Sequence, residues 1–382
     1  LTRDKLTDFW KHRYSLSHNH MYADFYFSVP QQITFVVLSL VSGLISLVGS
    51  IILASIIWRD RQSKLKFVYH RILFAASILD CVTSLVFAFG FLTVPSGFFW
   101  GAMGNTTTCE VSGFLTIFLG AQFLYNFGLA FYFLMIIYFK KSQNFIAKYF
   151  EPFIHTFSLC FPLGMALWAL KSTALNPLLY GGGWCYLYPY PPTCIAPYNV
   201  DVKCIRGMNA QVIRQCMIAL AVIAPFVGIM TCMIMIVYHI RSIAAASLPF
   251  SMRSQLDEKV RQTTIQALLY IGAMLGPCIL ILITQTMTSY DPMLRFIFGV
   301  LVKLIVPLQG FFNLIIYIRP RILALKQRSG GTGSFLKHFW CVIKGEGGQY
   351  DGDTEYDLAS EFSHLHAETS GNRSNTETTN RC

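Results

Sequence analysis

Long apolar runs separated by short polar stretches recur along this chain, and their length decides what they are. Seven come near the roughly 20 residues that a membrane-spanning helix requires: Ile33 to Trp58, Val68 to Val94, Glu110 to Phe139, Phe153 to Leu170, Ile213 to His239, Thr264 to Met287 and Leu294 to Ile318. The fourth is short and contains His155 and Pro162, so its place in the count rests partly on parity. The seventh is the most informative. Its stretch from Val302 to Pro320 carries Lys303, Pro307, Gln309, Gly310 and Asn313, which a helix facing only lipid has no use for. Charged and amide groups are costly in hydrocarbon and normally face a protein interior or a watery cavity. This helix is therefore expected to have neighbours, in an all-α integral membrane protein built as a seven-transmembrane helix bundle.

Composition and charge sharpen that picture. With 54% hydrophobic, 15% aromatic and only 13% charged residues over 382 positions, the chain is too apolar for a soluble protein of this size. Short cytoplasmic loops collect Lys and Arg. Arg59, Arg61, Lys64, Lys66 and Arg71 follow the first run; Lys140, Lys141 and Lys148 follow the third; Arg241, Arg253, Lys259 and Arg261 follow the fifth; Arg319, Arg321, Lys326 and Arg328 end the series. The opposite segment from Pro95 to Thr108 has neither Lys nor Arg. The N-terminus is expected outside and the C-terminus inside. The net charge of +11 follows from this asymmetry, so no nucleic-acid partner is inferred from it.

The chain then divides into an extracellular segment 1–30, polar and aromatic-rich without the short apolar core of a signal peptide, a transmembrane domain 31–318, a juxtamembrane basic segment 319–344 and a cytoplasmic tail 345–382. Arg321 to Arg328 is expected to form a short amphipathic helix on the inner membrane surface. Phe335 to Lys344 mixes basic and aromatic residues around Cys341, which suits either a palmitoylation site or a plain interfacial anchor in the membrane lipid. The tail is polar, acidic and rich in Ser and Thr, the composition of disorder.

Candidate chemistry lies within the runs. Asp80 is the only acidic residue deep within any of them, and an intramembrane carboxylate is a functional-site candidate by default. Asp80 lies nine residues from Arg71, Ser50 nine from Arg59 and Asn313 six from Arg319. At about 1.5 Å per residue, all three sit roughly 9 to 14 Å above the inner boundary. Gln122 and Asn126, four apart and so on one helix face, fall near the same level with Tyr125 beside them. The plain alternative is that each polar group merely bonds a neighbouring helix; a carboxylate meeting several amides at one depth favours a hydrated or ion-binding core. Lys303 lies sixteen residues above Arg319 and eight below Arg295. That is too far above Asp80 for direct pairing, so Lys303 meets an anion or water, reaches upward toward Glu110 or Asp291, or snorkels to the outer headgroups. Small residues interrupt the first helix at Gly49 and Ser50, which allows close helix approach.

Outside, Asn105-Thr106-Thr107 is a glycosylation sequon close to the start of the third helix. Cys109 heads that helix, and Cys185, Cys194 and Cys204 lie in the long segment from Lys171 to Gln211. Four cysteines facing an oxidising compartment allow two disulfides in three possible pairings.

The order of these features resembles the G-protein-coupled receptor superfamily: Cys109 above the third helix, a Cys-bearing second outer loop, Asp80 in the second helix, Pro277 in the sixth and Asn313-x-x-x-Tyr317 in the seventh. Val48-Gly49-Ser50, Trp184-Cys185 and Leu308-Gln309-Gly310-Phe311-Phe312-Asn313 are closer to its cyclic-AMP-receptor-like group and secretin-like relatives than to its rhodopsin-like group. The resemblance covers about Ile33 to Arg328. It implies a plasma-membrane receptor with an extracellular ligand and a heterotrimeric G protein as partners, Pro277 as a helix hinge, and a Cys109–Cys185 disulfide that leaves Cys194 and Cys204 to each other. Lys303, Gln122 and Tyr125 become candidate ligand contacts; Ser50, Asp80, Asn126, Pro277, Asn313 and Tyr317 become the polar core of activation. Arg241, Lys259 and Arg261 would line an inner groove for a partner helix, unless they reflect the positive-inside rule alone. The chain departs from the rhodopsin-like pattern at Ile136-Ile137-Tyr138-Phe139-Lys140, at Leu314 and at Gly276-Pro277, so no latch between the third and sixth helices is assigned.

Three other classes fit less well. A retinal-binding photoreceptor would use Lys303 as its chromophore lysine, but the resembling receptors hold that Lys closer to the Asn than the ten positions separating Lys303 from Asn313. An intramembrane hydrolase needs converging His and carboxylate ligands, whereas His155 alone lies well inside a run. A transporter more often carries internal repeats and paired broken helices. No enzymatic activity, metal or cofactor is expected.

Overall fold

A computed structural model describes residues 27–178, 183–191, 194, 203–245, 265, 269, 272–273, 275–284, 292–328 and 334–344. Among these, six helices are long and apolar enough to cross a bilayer: α1 (Val29–Arg59), α2 (Val68–Thr93), α3 (Thr106–Ile137), α4 (Gln143–Lys171), α5 (Ala210–His239) and α7 (Met293–Leu323). The remaining apolar run contributes α6 (Leu275–Thr284), too short to span alone; the rest of that run is described only at isolated positions. The protein thus has the architecture of a multi-pass, helical membrane protein.

Burial in α1 is inverted relative to a soluble helix. Val37, Val41, Leu44, Ile45, Val48 and Ile51 are exposed, while Ser39, Ser42, Gly43, Ser46, Gly49 and Ser50 are buried. In lipid the apolar side chains need no partner, so the small residues take the helix contacts. A Cβ at Gly43 would come within 2.8 Å of the Ala88 nitrogen in α2, and one at Gly49 within 2.9 Å of the Phe311 Cα in α7. Glycine at these two positions sets how closely α1 meets both neighbours.

The third helix packs against α2, α4 and α5 and is the centre of the bundle. It starts at Asn105, whose Oδ1 accepts the Thr108 N–H at 3.0 Å while the Thr108 hydroxyl accepts the Asn105 N–H at 2.8 Å, satisfying donors that a helix start leaves open. Its last helical residue is Ile137, and the chain turns away through Lys140, held at φ 51° where Gly or Asn is usual.

Two boundaries differ from the sequence expectation. The fourth helix begins at Gln143, ten residues before Phe153, and includes a π-helical turn at Ile146–Phe150. Lys148 and Glu151 do not end it, because the Glu151 carboxylate pairs with Arg71 of α2. The seventh element runs from Pro292–Ile305 through a 3₁₀ turn at Val306–Leu308 into Gln309–Arg328, without stopping at Pro320. The separate surface helix expected at Arg321 to Arg328 is thus the unbroken helical continuation of α7. An amphipathic helix follows instead as α8 (Phe335–Lys344), which packs on α7 and whose Ile343 carbonyl accepts from Arg59 Nη1 at 2.8 Å.

On the opposite side, β1 (Leu175–Pro177) pairs antiparallel with β2 (Cys185–Leu187) in a hairpin. Disulfides join Cys109 to Cys185 and Cys194 to Cys204, with Cα separations of 5.4 and 5.1 Å. Of the three possible pairings, this is the one the family resemblance implied.

Candidate functional site

The site begins at a fault in α7. Pro307 has no N–H, so the carbonyl of Lys303, four residues earlier, loses its helical donor. The Ser42 hydroxyl of α1 lies 2.8 Å from that carbonyl and shares its one proton between it and the Leu38 carbonyl of its own helix at 2.7 Å. One turn along α1, Ser46 Oγ accepts the Gly310 N–H at 3.0 Å. The serine stripe of α1 thus completes the backbone of α7 where proline breaks it. Ser50 continues the stripe: its hydroxyl donates to the Ser46 carbonyl at 3.0 Å and packs against Gly310, where a Cβ has no room.

The broken segment holds Lys303 inside the bundle. It is 1% exposed, and Nζ lies 3.0 Å from the centroid of the Trp184 ring with no hydrogen-bond partner among the described residues. An ammonium over an indole face gains about 2 kcal/mol when desolvated, and a buried charge without a counter-ion is costly. Phe87, Val306 and Trp184 form one apolar cluster, with Leu119, Ile281 and Val302 packed around it. Lys303 therefore does not snorkel to the headgroups. Glu110 is engaged elsewhere, in an ion pair with Arg206, and Asp291 lies outside the described residues.

Trp184 reaches Lys303 from the β1–β2 hairpin. Cys185 ties the strand to the head of α3, the Leu178 N–H bonds the Trp184 carbonyl at 3.0 Å, and the indole N–H approaches the Phe87 carbonyl at 3.4 Å. Gly90 leaves room for the ring, since a Cβ there would stand 3.1 Å from Trp184 Cδ1.

Deeper in the bundle, Asn313 Nδ2 donates to Asp80 Oδ2 at 2.8 Å and joins α7 to α2. Asp80 is 1% exposed, and its Oδ1 has no hydrogen-bond partner among the described residues. Gln309 Nε2 lies 3.4 Å from Asn313 Oδ1. Gln122 of α3 bonds the Thr83 hydroxyl, which in turn lies 3.3 Å from the Asp80 carbonyl. Asn126 Nδ2 donates to the Gln122 carbonyl at 3.0 Å. Two separate polar contacts thus cross between helices, Gln122–Thr83 from α3 to α2 and Asn313–Asp80 from α7 to α2, while the Thr83 hydroxyl bonds back to the Leu79 and Asp80 carbonyls of its own helix. Ser50 has no hydrogen bond to this group; it belongs to the α1–α7 seam.

Tyr125 turns to α4, where its hydroxyl meets His155 Nδ1 at 3.0 Å, and His155 Nε2 is 3.7 Å from Glu151. Toward the C-terminal end of α7, Tyr317 is fully buried, stacks with Tyr69 at 6.5 Å between ring centroids and accepts a bond from Arg321 Nη2 at 3.0 Å. Pro277 is buried in α6, Arg241 is exposed at the end of the fifth helix, and Lys259 and Arg261 lie outside the described residues. Asn105 is exposed as the cap of α3, and Cys341 is a half-buried free thiol on α8. Thr83, Ser42 and Ser46 escape a reading of single charged residues. The spacing of Ser42, Ser46 and Ser50 every four positions, opposite a proline-broken helix, is the signal for the two serines.

Compared with known proteins, the chain matches no protein-family model and no curated protein.

Proposed function

We propose that the protein is a seven-helix plasma-membrane receptor that binds a ligand from outside and activates a heterotrimeric G protein inside, with its N-terminus extracellular and its C-terminus cytoplasmic. The observation that carries this is the course of α7. One helix holds Lys303 against a tryptophan delivered by the outer loop, breaks at Pro307, bonds Asp80 through Asn313 and carries the buried Tyr317 further on. A ligand that alters the Lys303 contact acts on the same helix that carries the inner polar links. Activation is a population shift: ligand favours an arrangement in which helices five, six and seven open an inner groove, with Pro277 as the hinge in α6 and Arg241, Lys259 and Arg261 at the groove. Cys341 on α8 is a candidate lipidation site, and Asn105 a candidate glycan site. A ligand screen on intact cells, read by G-protein activation, tests this. Compounds that activate wild type and not an expressed Asp80→Asn variant support it; a protein that responds through no G protein does not fit it.

The burial of Lys303 Nζ without a hydrogen-bond partner among the described residues also favours a second reading, a retinal-binding photoreceptor with Lys303 as chromophore lysine. Visible absorbance that appears on incubation with retinal and vanishes in Lys303→Met would establish it.

A further inference from the structure

The Lys303 site has a cation and an apolar wall, and among the described residues nothing anionic faces it. Its one basic group is Lys303 Nζ, which meets the Trp184 ring, and Phe87, Val302, Val306, Leu119 and Ile281 pack around that tryptophan. Glu110 is paired with Arg206. The group that covers the ammonium, Trp184, belongs to the outer hairpin and is held at one side by the Cys109–Cys185 bridge. An indole face is also the weaker partner. It offers an ammonium a quadrupole, whereas a carboxylate offers an opposite charge and charge-assisted hydrogen bonds.

We infer that Trp184 is a tethered stand-in, and that the ligand is an apolar monoanion, a carboxylate on a hydrocarbon or aromatic body, whose acid group takes the place of the indole on Lys303. This rests on the receptor proposed above for its consequence, though not for the binding itself. The site holds one cation, so it takes one charge; its wall is apolar, so it takes an apolar body. Displacing the indole releases the outer hairpin from α7 just above the Pro307 break, where the backbone depends on Ser42 and Ser46. Binding is thereby felt where α7 is least supported by its own hydrogen bonds.

The test uses the full chain in nanodiscs of uncharged lipid, with 11-(dansylamino)undecanoic acid as probe, its methyl ester as uncharged control and empty nanodiscs as background. Dansyl fluorescence reads binding. The acid should bind saturably and the ester about tenfold more weakly or worse. Lys303→Met should abolish the preference for acid while the Cys109–Cys185 bridge still forms, and Lys303→Arg should keep it. Trp184→Leu, or Trp184→Phe if that variant does not fold, should tighten acid binding about threefold or more, because the competitor is gone. Equal binding of acid and ester, or an undiminished acid preference in Lys303→Met, overturns the inference. Weaker acid binding in the Trp184 variant shows that the indole is part of the site and not a stand-in. No G protein enters the measurement, so acid-selective binding without any G-protein response defeats only the receptor proposal. G-protein activation without acid-selective binding defeats only the inference drawn here.

Discussion

Replacing Gly310 with alanine should loosen the seam between α1 and α7, and a change in Ser50 should restore it. A Cβ at Gly310 would overlap Ser50 Oγ and stand 2.9 Å from Ser46 Oγ and 3.0 Å from the Ser46 carbonyl. The hydroxyl of Ser50 can rotate away only by giving up its bond to Ser46, and the backbone of Ser46 cannot move without α1. Overpacking of this kind costs about 1–3 kcal/mol. Separating the helices also stretches the Ser42–Lys303 and Ser46–Gly310 hydrogen bonds, each worth about 1 kcal/mol. Gly310→Ala should therefore lose about 3–5 kcal/mol. Ser50→Ala alone should change stability by about 0.5 kcal/mol or less, since its hydroxyl only adds to a helical turn. The double variant should recover about 1 kcal/mol or more through coupling of the two sites. Reversible unfolding in mixed micelles of rising SDS fraction, followed by tryptophan fluorescence, measures all three. A neutral Gly310→Ala, or a double variant that equals the sum of the singles, would refute the close approach.

Four further outcomes are expected. Ser42→Ala leaves the Lys303 carbonyl without its donor and should cost about 1–3 kcal/mol in the same unfolding assay, while Ser42→Thr keeps the hydroxyl and should cost clearly less. Asp80→Asn preserves size and should reach the surface at wild-type level but signal differently; matching ligand-stimulated G-protein activation would remove Asp80 from the switch. Lys303→Met should weaken agonist potency by about tenfold, or about 1.4 kcal/mol, with near-normal expression, and Lys303→Arg should fall between; unchanged potency would show that the ligand does not use Lys303. An epitope inserted before Leu6 should be labelled on intact cells and one after Ser370 only after permeabilisation; external labelling of both would exclude the proposed seven spans.

The membrane class is legible in the sequence because run length and apolarity are local properties. Lys303 and Asp80 stand out for the same reason, as charges in apolar surroundings. Contacts are less legible. The depth count brought Asp80 and Asn313 together, and they are bonded, but it also put Ser50 in that layer. Ser50 has the right height and faces the wrong seam, since height along a helix says nothing of azimuth. The start of α4 is less legible: Lys148 reads as a loop cation and the apolar run begins only at Phe153, yet the helix starts at Gln143 and its Glu151 pairs with Arg71 on another helix. The seventh apolar run ends at Ile318, yet the helix continues to Arg328. The descent of Trp184 onto Lys303 depends on a hairpin and a disulfide far apart in sequence, and no local pattern carries it.

The most direct test of the receptor proposal joins the two ends of α7 in one measurement. Nucleotide exchange on heterotrimeric G proteins carrying a panel of Gα C-terminal sequences is followed with the protein in nanodiscs, with and without the dansyl acid at saturation. The proposal predicts that the acid changes exchange on at least one member of the panel, and that Lys303→Met and Asp80→Asn each suppress the change. Saturable binding of the acid through Lys303 with exchange unaltered across the whole panel would contradict it.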